Sequence, residues 1–152
     1  MRRPLRLLLF ALGALAFVAI SLALGRVLSA NGAERDAILA LLRAQARDDA
    51  AAMVAQVDGC ARHPSCVARA RTNAMRLHAS GTVELVRLDA STSFSLGGTD
   101  GVARVVWNTA THETVVQCVA VHRGGDVIGG LSVELRALSG PIGHQSDCPS
   151  SF

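Results

Sequence analysis

Residues 115–121 read Val-Val-Gln-Cys-Val-Ala-Val, and this run decides the fold class of the chain. Its β-branched residues favour a strand, and apolar side chains occupy both alternating sets of positions, so we expect a central strand buried on both faces. Three similar runs, at 82–88, 102–107 and 131–138, are separated by glycine pairs or Asp-Gly, which are typical of short connections. The second half of the chain therefore predicts an antiparallel sheet of about four strands.

Alternation along these strands predicts which side chains share a face of the sheet. In the last run, Val133, Leu135 and Ala137 alternate with polar residues, and we expect all three on the buried face. In the central strand, His122 lies four residues after Cys118, so both side chains are expected on the same face of the sheet. If that face lines a cavity, His122 stands at its rim.

Two helices are predicted before the sheet. The first covers residues 33–57, contains no glycine or proline, and begins at a capping box formed by Asn31 and Glu34. Its apolar stripe consists of Ile38, Leu41, Leu42, Met53, Val54 and Val57. The second helix begins after Pro64 and extends to about residue 79. Helices followed by strands with short connections indicate an α+β fold, with two helices packed on one face of the sheet.

An uncharged apolar segment, residues 7–24, precedes these helices. As a helix it would extend about 27 Å, close to the roughly 30 Å hydrocarbon thickness of a bilayer. Arg2, Arg3 and Arg6 precede it and only Arg26 follows it closely, which favours a cytoplasmic N-terminus. The sequence therefore predicts a single-pass transmembrane helix, a signal-anchor, with the folded domain outside the cytoplasm.

A cleaved signal peptide is the alternative interpretation of the same segment. Ala23-Leu24-Gly25 is a small-x-small sequence that could be cleaved, and the domain would then be secreted. The predicted organisation is a cytoplasmic stub with the anchor at 1–25, a linker at 26–32, an α+β domain at 33–140 and an extended tail at 141–152.

The charge of the chain argues against nucleic-acid binding. All fifteen basic residues are arginines, and the formal net charge is +3. Three of these arginines precede the apolar segment, so the part from residue 26 onward has twelve arginines and all twelve acidic residues. Its aromatic residues are only Phe94, Trp107 and Phe152, with no tyrosine. A nucleic-acid site would need a clustered positive surface and aromatic stacking groups, so we predict no such partner.

Four cysteines in an exported domain favour two disulfides among three possible connectivities. Cys60 and Cys66 form the natural local pair, which leaves Cys118 for Cys148, although Cys148 could also link two chains. The alternative is a zinc site, because Cys60-x-x-His63-x-x-Cys66 contains three residues of ligand type. A structural zinc site needs a fourth ligand and usually a reducing compartment. We therefore predict disulfides, with no metal and no cofactor.

The order of elements resembles the nuclear transport factor 2-like, or cystatin-like cone, superfamily, and particularly its single-pass extracytoplasmic members common in actinobacteria. The resemblance covers about residues 32–140. It is carried by Glu34-Arg35-Asp36-Ala37-Ile38, by Arg47-Asp48-Asp49-Ala50-Ala51 and by 115–121. It implies helices packed on a curved antiparallel sheet, which together form a cone.

Enzymes of that superfamily, such as ketosteroid isomerase and the polyketide cyclases, place an acid/base Asp or His inside the cone, and the isomerase adds a tyrosine. This chain has no tyrosine. The resemblance therefore favours a non-catalytic domain that binds a partner protein or a small apolar ligand through the open side of its sheet, or that helps to assemble a complex of the cell envelope. His122, Arg104 and Trp107 are the candidate binding residues, although Trp107 is most simply a core or rim residue.

Two other interpretations stay open. One is a small isomerase- or cyclase-type enzyme that uses His122 with an acidic partner, with Asp89, Arg104 and Glu134 as residues that could converge on it. The other is a disulfide-stabilised structural module whose cone is filled by its own side chains. A convergent buried pair would favour the enzyme, and an apolar or shallow concavity would favour the binding domain.

Overall fold

A computed structural model describes residues 2–90, 98–111, 113–126 and 130–149, with side chains except at 2–9, 26–31, 126, 130 and 131. The helices are α1 (Arg2–Ala46), α2 (Ala50–Gln56) and α3 (Pro64–Leu77), with one 3₁₀ turn at Cys60–Arg62. The strands are β1 (Glu84–Ala90), β2 (Thr99–Asn108), β3 (Val115–Asp126) and β4 (Gly130–Leu138). The predicted α+β class with a four-stranded sheet is confirmed.

The four strands form one antiparallel sheet in the order β1-β2-β3-β4. The predicted central strand lies in β3, which pairs with β2 on one side and β4 on the other. Residues 115–119 of β3 are all buried, because helices cover one face of the sheet and residues 144–148 cover part of the other. A strand covered on both faces accounts for apolar residues at both alternating sets of positions in this run.

A β-bulge changes the side-chain pattern of β4. The pairing with β3 shifts at Arg136, which is an extra residue between the paired Leu135 and Ala137. A bulge reverses the alternation beyond it, so Leu138 joins Leu135 in the core, whereas Ala137 is only partly buried. The prediction that Ala137 shares the buried face is therefore wrong.

Helix α1 begins well before the predicted capping box. Residues 26–32, predicted as a linker, are helical, and the helix runs through Asn31 without interruption. The predicted helix start at Asn31 is therefore wrong. A cap forms only where the chain enters a helix from a non-helical conformation, and here the alanine- and leucine-rich residues before Asn31 continue the helix. The side chain of Glu34 binds Arg123 of β3 instead.

The predicted single helix at 33–57 is divided in two. Helix α1 ends at Ala46, and Asp48 has a left-handed backbone with φ 58°. Asp49 then caps α2, because its Oδ1 accepts a hydrogen bond of 2.9 Å from the backbone N–H of Ala52. The turn brings the short helix α2 back against α1 and α3.

The core lies between the helices and one face of the sheet. Of the predicted apolar stripe, all but Val54 are buried, and Val54 packs at the edge of the core. From the sheet, Val105, Trp107, Val119 and Leu135 complete this core. Burial of each large apolar side chain contributes roughly 1.5–3 kcal/mol, so this interface supplies most of the driving force for folding.

The residues after β4 first follow the edge of β3, since the backbone N–H of Ile142 donates a hydrogen bond of 2.8 Å to the carbonyl oxygen of Val116. Residues 144–148 then cover part of the opposite face of the sheet, here called the outer face. The disulfide Cys118–Cys148 connects the same region to β3, and Cys60–Cys66 closes a short loop before α3. Both predicted disulfides are confirmed. By the loop-entropy relation, the longer loop contributes about 3.5 kcal/mol.

Within the part of the chain whose side chains are described, no helix has an apolar stretch long enough to cross a membrane. The predicted span begins at residue 7, and residues 7–9 lie outside the described side chains. From 10 to 25 every side chain of α1 is exposed.

Candidate functional site

The three predicted binding residues lie on two different faces of the sheet. Trp107 faces the helices and is completely buried, and its Nε1–H donates a hydrogen bond of 2.8 Å to Gln117. Arg104 and His122 belong to the opposite set of alternating positions, on the outer face. The structure thus brings Arg104 and His122 to one face and places Trp107 in the core, the simpler of the two roles the sequence left open for it.

Arg104 binds the C-terminal residues. Its Nε–H donates to the carbonyl oxygen of Ser146 at 3.3 Å, and its Nη2 donates to the carbonyl oxygen of His144. Asp89 Oδ2 lies 3.9 Å from the guanidinium. Arg104 therefore donates its hydrogen bonds within the protein, and they help to hold residues 144–146 against the outer face.

His122 has an acidic partner, but it is Asp100. The His122 Nδ1 atom lies 2.8 Å from Asp100 Oδ1. Asp89 and Glu134, the acidic residues proposed from the sequence, form their shortest ion pairs with Arg87 and Arg136 instead. The Asp100 side chain is 84% exposed. The pair is therefore open to water on the outer face and is not enclosed between the helices and the sheet.

The segment Cys60-x-x-His63-x-x-Cys66 forms a loop closed by its own disulfide. Both sulfur atoms are bonded to each other, so neither is available as a thiolate ligand. Within the described ranges, no cluster of three or more His, Cys, Asp or Glu side chains has an arrangement that could hold a metal ion. This loop forms one wall of a cleft.

That cleft, here called the α2–α3 cleft, has a volume of about 200 Å³ and opens between α2, α3 and the end of β4. Its floor is apolar and is formed by Leu41, Met53, Val57, Ala70 and Leu138. Its mouth is polar and carries Asp58, His63, Ser65, Arg69 and Arg136. An apolar cavity with a few polar groups at its opening is the usual form of a small-molecule site.

Local structure at the end of α2 sets the position of the cleft. The backbone N–H of Asp58 donates a hydrogen bond of 2.7 Å to the carbonyl oxygen of Leu135 in β4. The next residue, Gly59, has φ +69°, and a side chain there would approach the Arg62 guanidinium at 3.3 Å. The Asp-Gly sequence thus turns the chain at the edge of β4, and the disulfide loop then leads into α3.

The charged groups at the mouth differ in their partners. Asp58 Oδ2 and Glu134 Oε2 lie 2.6 Å and 2.7 Å from the guanidinium nitrogens of Arg136. Two carboxylates, Asp58 and Glu134, therefore share the single guanidinium of Arg136. Arg69, on α3, is partly buried and has no hydrogen-bond or ion-pair partner among the described residues. Arg69 is thus the cation of the mouth whose N–H donors are not used by any described residue.

Sequence reasoning missed Arg69 and the cleft. Residues 59–83 contain four arginines and no Asp or Glu. This local excess of positive charge was the sequence signal that could have pointed to an arginine without an acidic partner in this region. The lining residues come from α1, α2, the disulfide loop, α3 and β4. Their convergence is visible only in three dimensions.

Comparison with known proteins gives no matching family model and no significant match among the curated proteins or the solved structures. The geometry of the chain itself therefore carries the functional argument.

Proposed function

We propose that this chain is a membrane-anchored, extracytoplasmic and non-catalytic domain that binds a small ligand in the α2–α3 cleft. The observation that carries the proposal is the cleft itself, in which an apolar floor lies beneath a polar mouth. The outer face of the sheet, which the sequence favoured as the binding surface, is a weaker candidate because residues 144–148 occupy part of it. A partner protein of the envelope stays a possible ligand of other surfaces.

The described part of the N-terminal helix supports the membrane proposal. Its large apolar residues are exposed all around, and Phe10, Leu15 and Phe17 each expose more than 70% of their surface. Apolar surface on every side of a helix is unfavourable in water and favourable in a bilayer. The two disulfides support an oxidising compartment for the domain.

We expect the full-length chain, produced in cells with an oxidising extracytoplasmic space, to stay in the membrane pellet after carbonate extraction. Its four cysteines should react with a maleimide-polyethylene glycol only after reduction, because all four are in disulfides. A chain without residues 2–25 is the control and should carry reactive thiols in the cytoplasm. Reactive thiols in the full-length chain would contradict export, and release of a shortened, fully oxidised chain would contradict anchoring while supporting export.

The element order also supports the proposal that the domain belongs to the nuclear transport factor 2-like superfamily. Helices come first, then a meander of four antiparallel strands, and the helices pack on one face of the sheet. In such an arrangement, the space between helices and sheet is where a ligand site forms. The α2–α3 cleft opens from that space.

An isomerase- or cyclase-type enzyme is the second candidate, and the His122–Asp100 contact of 2.8 Å favours it. A carboxylate bound to Nδ1 orients an imidazole for proton transfer at Nε2. The exposure of Asp100 weakens this candidate, because an acid/base pair in open water gains little from its surroundings. The two candidates use different faces of the sheet, so they can be tested separately.

Binding in the cleft can be tested with methionine methyl NMR on the full-length chain in lipid nanodiscs. The chain has three methionines. Met53 lies in the floor of the cleft, whereas Met75 is exposed on α3 and serves as an internal control. With benzamide as the neutral probe and benzoate as the charged one, we expect a concentration-dependent shift of the Met53 signal and none of the Met75 signal.

Two substitutions at exposed positions of α3 sharpen this test. Ser65→Phe places a ring at the mouth of the cleft and should weaken binding of both probes about tenfold or more, because it occupies their space. Ala68→Phe, one turn of helix away, adds the same ring outside the cleft and should leave binding unchanged. A Met53 signal that moves with neither probe would rule the proposed site out.

A further inference from the structure

Arg69 differs from the other partly buried arginines of the domain. A guanidinium has five N–H donors and no acceptor, and when it is partly buried it normally binds carboxylates or carbonyl oxygens. Arg104 binds two carbonyl oxygens, and Arg123 binds Glu34. Of the partly buried arginines that the structure describes, Arg69 is the one that has no such partner among the described residues. Its position in the wall of the α2–α3 cleft makes its donors available to a ligand.

The N-terminus of α3 adds positive potential at the mouth of the cleft. Helix α3 begins at Pro64, and no side chain caps its N-terminal N–H groups. Two residues of this first turn, Ser65 and Cys66, line the cleft. The N-terminus of a helix favours negative charge. The carboxylate among the lining residues, Asp58, is already paired with Arg136 at 2.6 Å. It therefore does not supply the missing partner of Arg69.

The size and polarity of the cleft limit the ligand further. A volume of about 200 Å³ is below the roughly 300–1,000 Å³ of sites for drug-sized ligands. It is larger than the roughly 150 Å³ cavity that holds benzene in an engineered protein. A single ring or a short aliphatic chain therefore fits the apolar floor, with room for one polar group at the mouth.

From these observations we infer that the α2–α3 cleft selects small monoanions with an apolar body, such as aromatic or short aliphatic carboxylates, and that Arg69 binds the carboxylate. This inference rests on the proposed binding function of the cleft. Arginine and carboxylate form paired, charge-assisted hydrogen bonds, and Ser65 lies at the same opening as a further donor. The apolar body then occupies the space beside Met53 and Leu138.

The test compares benzoate with benzamide, which has the same shape but no charge. Both are titrated against the full-length chain in lipid nanodiscs, with the Met53 methyl signal as the readout. We expect benzoate to bind about tenfold or more tightly than benzamide, because the carboxylate adds an opposite charge and a paired hydrogen-bond geometry that the neutral amide lacks. Added salt should weaken benzoate binding and leave benzamide binding unchanged.

Arg69→Gln removes the charge and keeps most of the side-chain length. We expect this variant to lose the preference for benzoate and to keep a concentration-dependent Met53 shift with benzamide, weakened at most severalfold, and this remaining shift shows that the cleft is intact. Arg69→Lys should keep part of the preference, since it retains the charge without the planar fork. Arg76→Gln is the matched control, because Arg76 is exposed, lies two turns further along α3 and does not line the cleft.

The possible outcomes separate the two proposals. Equal binding of benzoate and benzamide, or a preference for benzoate that survives in Arg69→Gln, overturns the inference of anion selectivity and leaves the binding cleft standing. If neither probe shifts Met53 in the native chain, the proposed function fails and the inference fails with it. A preference lost in Arg69→Gln and kept in Arg76→Gln supports both.

Discussion

Replacing Gln117 by alanine is expected to lower the free energy of unfolding by about 3–5 kcal/mol. Its Oε1 atom accepts hydrogen bonds from Gln45 Nε2 at 2.9 Å and from Trp107 Nε1 at 2.8 Å. Its Nε2 atom donates to the carbonyl oxygen of Ser139 at 3.1 Å. All four residues are buried. Removing one amide therefore leaves several buried polar groups without partners and also opens a cavity.

The effect of Gln117→Ala is large because this amide connects elements that are far apart in the sequence. Gln45 belongs to α1, Trp107 to β2, and Ser139 follows β4. Asn73 of α3 donates to the same Ser139 carbonyl oxygen at 2.9 Å. A fully satisfied buried network of this kind favours one arrangement of helices on the sheet over alternatives that would leave its members unpaired.

Urea unfolding of the full-length chain in detergent micelles, followed by tryptophan fluorescence, measures this effect. Trp107 is the single tryptophan of the chain, and it lies within the network. Gln117→Met separates the two contributions, because it fills most of the volume and leaves the polar partners unpaired. Gln145→Ala is the matched control at an exposed position. A loss for Gln117→Ala no larger than that for Gln145→Ala would show that the network contributes little to stability.

Much of the fold could be predicted because its determinants are local. The strands follow from runs of β-branched residues between glycines, and helix α3 follows from Pro64 and an apolar stripe that ends before Gly81. The disulfide pairing followed from the short spacing of Cys60 and Cys66, which left one choice for the other two cysteines. Each of these signals needs only a few neighbouring residues.

The errors occurred where a contact distant in the sequence decides the local structure. The sequence around Asp48 is rich in alanine and contains no glycine or proline, so nothing predicted a left-handed residue there. The break at Asp48 lets α2 pack back against the core through Met53 and Val57. An Asp followed by an alanine run was the available signal, since Asp49 is a favoured residue type for a helix N-cap.

The candidate site could not be predicted from residue types alone. His122 and Arg104 attracted attention as polar residues on strands, but the structure places both on the outer face, away from the cleft. Arg69 resembles every other arginine in the sequence. It becomes a candidate only because the fold places it in the wall of an apolar cleft without an acidic neighbour among the described residues.

Arg123→Met is expected to lower the free energy of unfolding by about 3–5 kcal/mol, because it leaves the charge of Glu34 buried without a partner. The Glu34 side chain is only 2% exposed, and Arg123 Nε donates to its Oε2 at 2.8 Å. The other carboxylate oxygen, Oε1, has no hydrogen-bond partner among the described residues. The guanidinium is thus the main compensation that the described protein offers to this carboxylate.

The double variant Glu34→Leu/Arg123→Met tests whether the loss of stability comes from the unpaired buried charge or from lost packing between α1 and β3. Replacing both members of a buried ion pair by apolar residues is often neutral or stabilising, so the double variant should regain most of the stability that Arg123→Met loses. Arg87→Met is the matched control. Arg87 forms an ion pair of 2.8 Å with Asp89, but its side chain is 68% exposed, and we expect a loss below about 1 kcal/mol.

Unfolding in urea, monitored through Trp107, again supplies the measurement. If Arg123→Met and the double variant lose the same amount, then the contact between α1 and β3 matters through packing, and the electrostatic explanation is wrong. If the double variant recovers, charge compensation is what the pair provides. In that case Arg123 of β3 compensates the charge of Glu34, and this ion pair helps to fix the position of α1, the helix that continues into the apolar N-terminal segment.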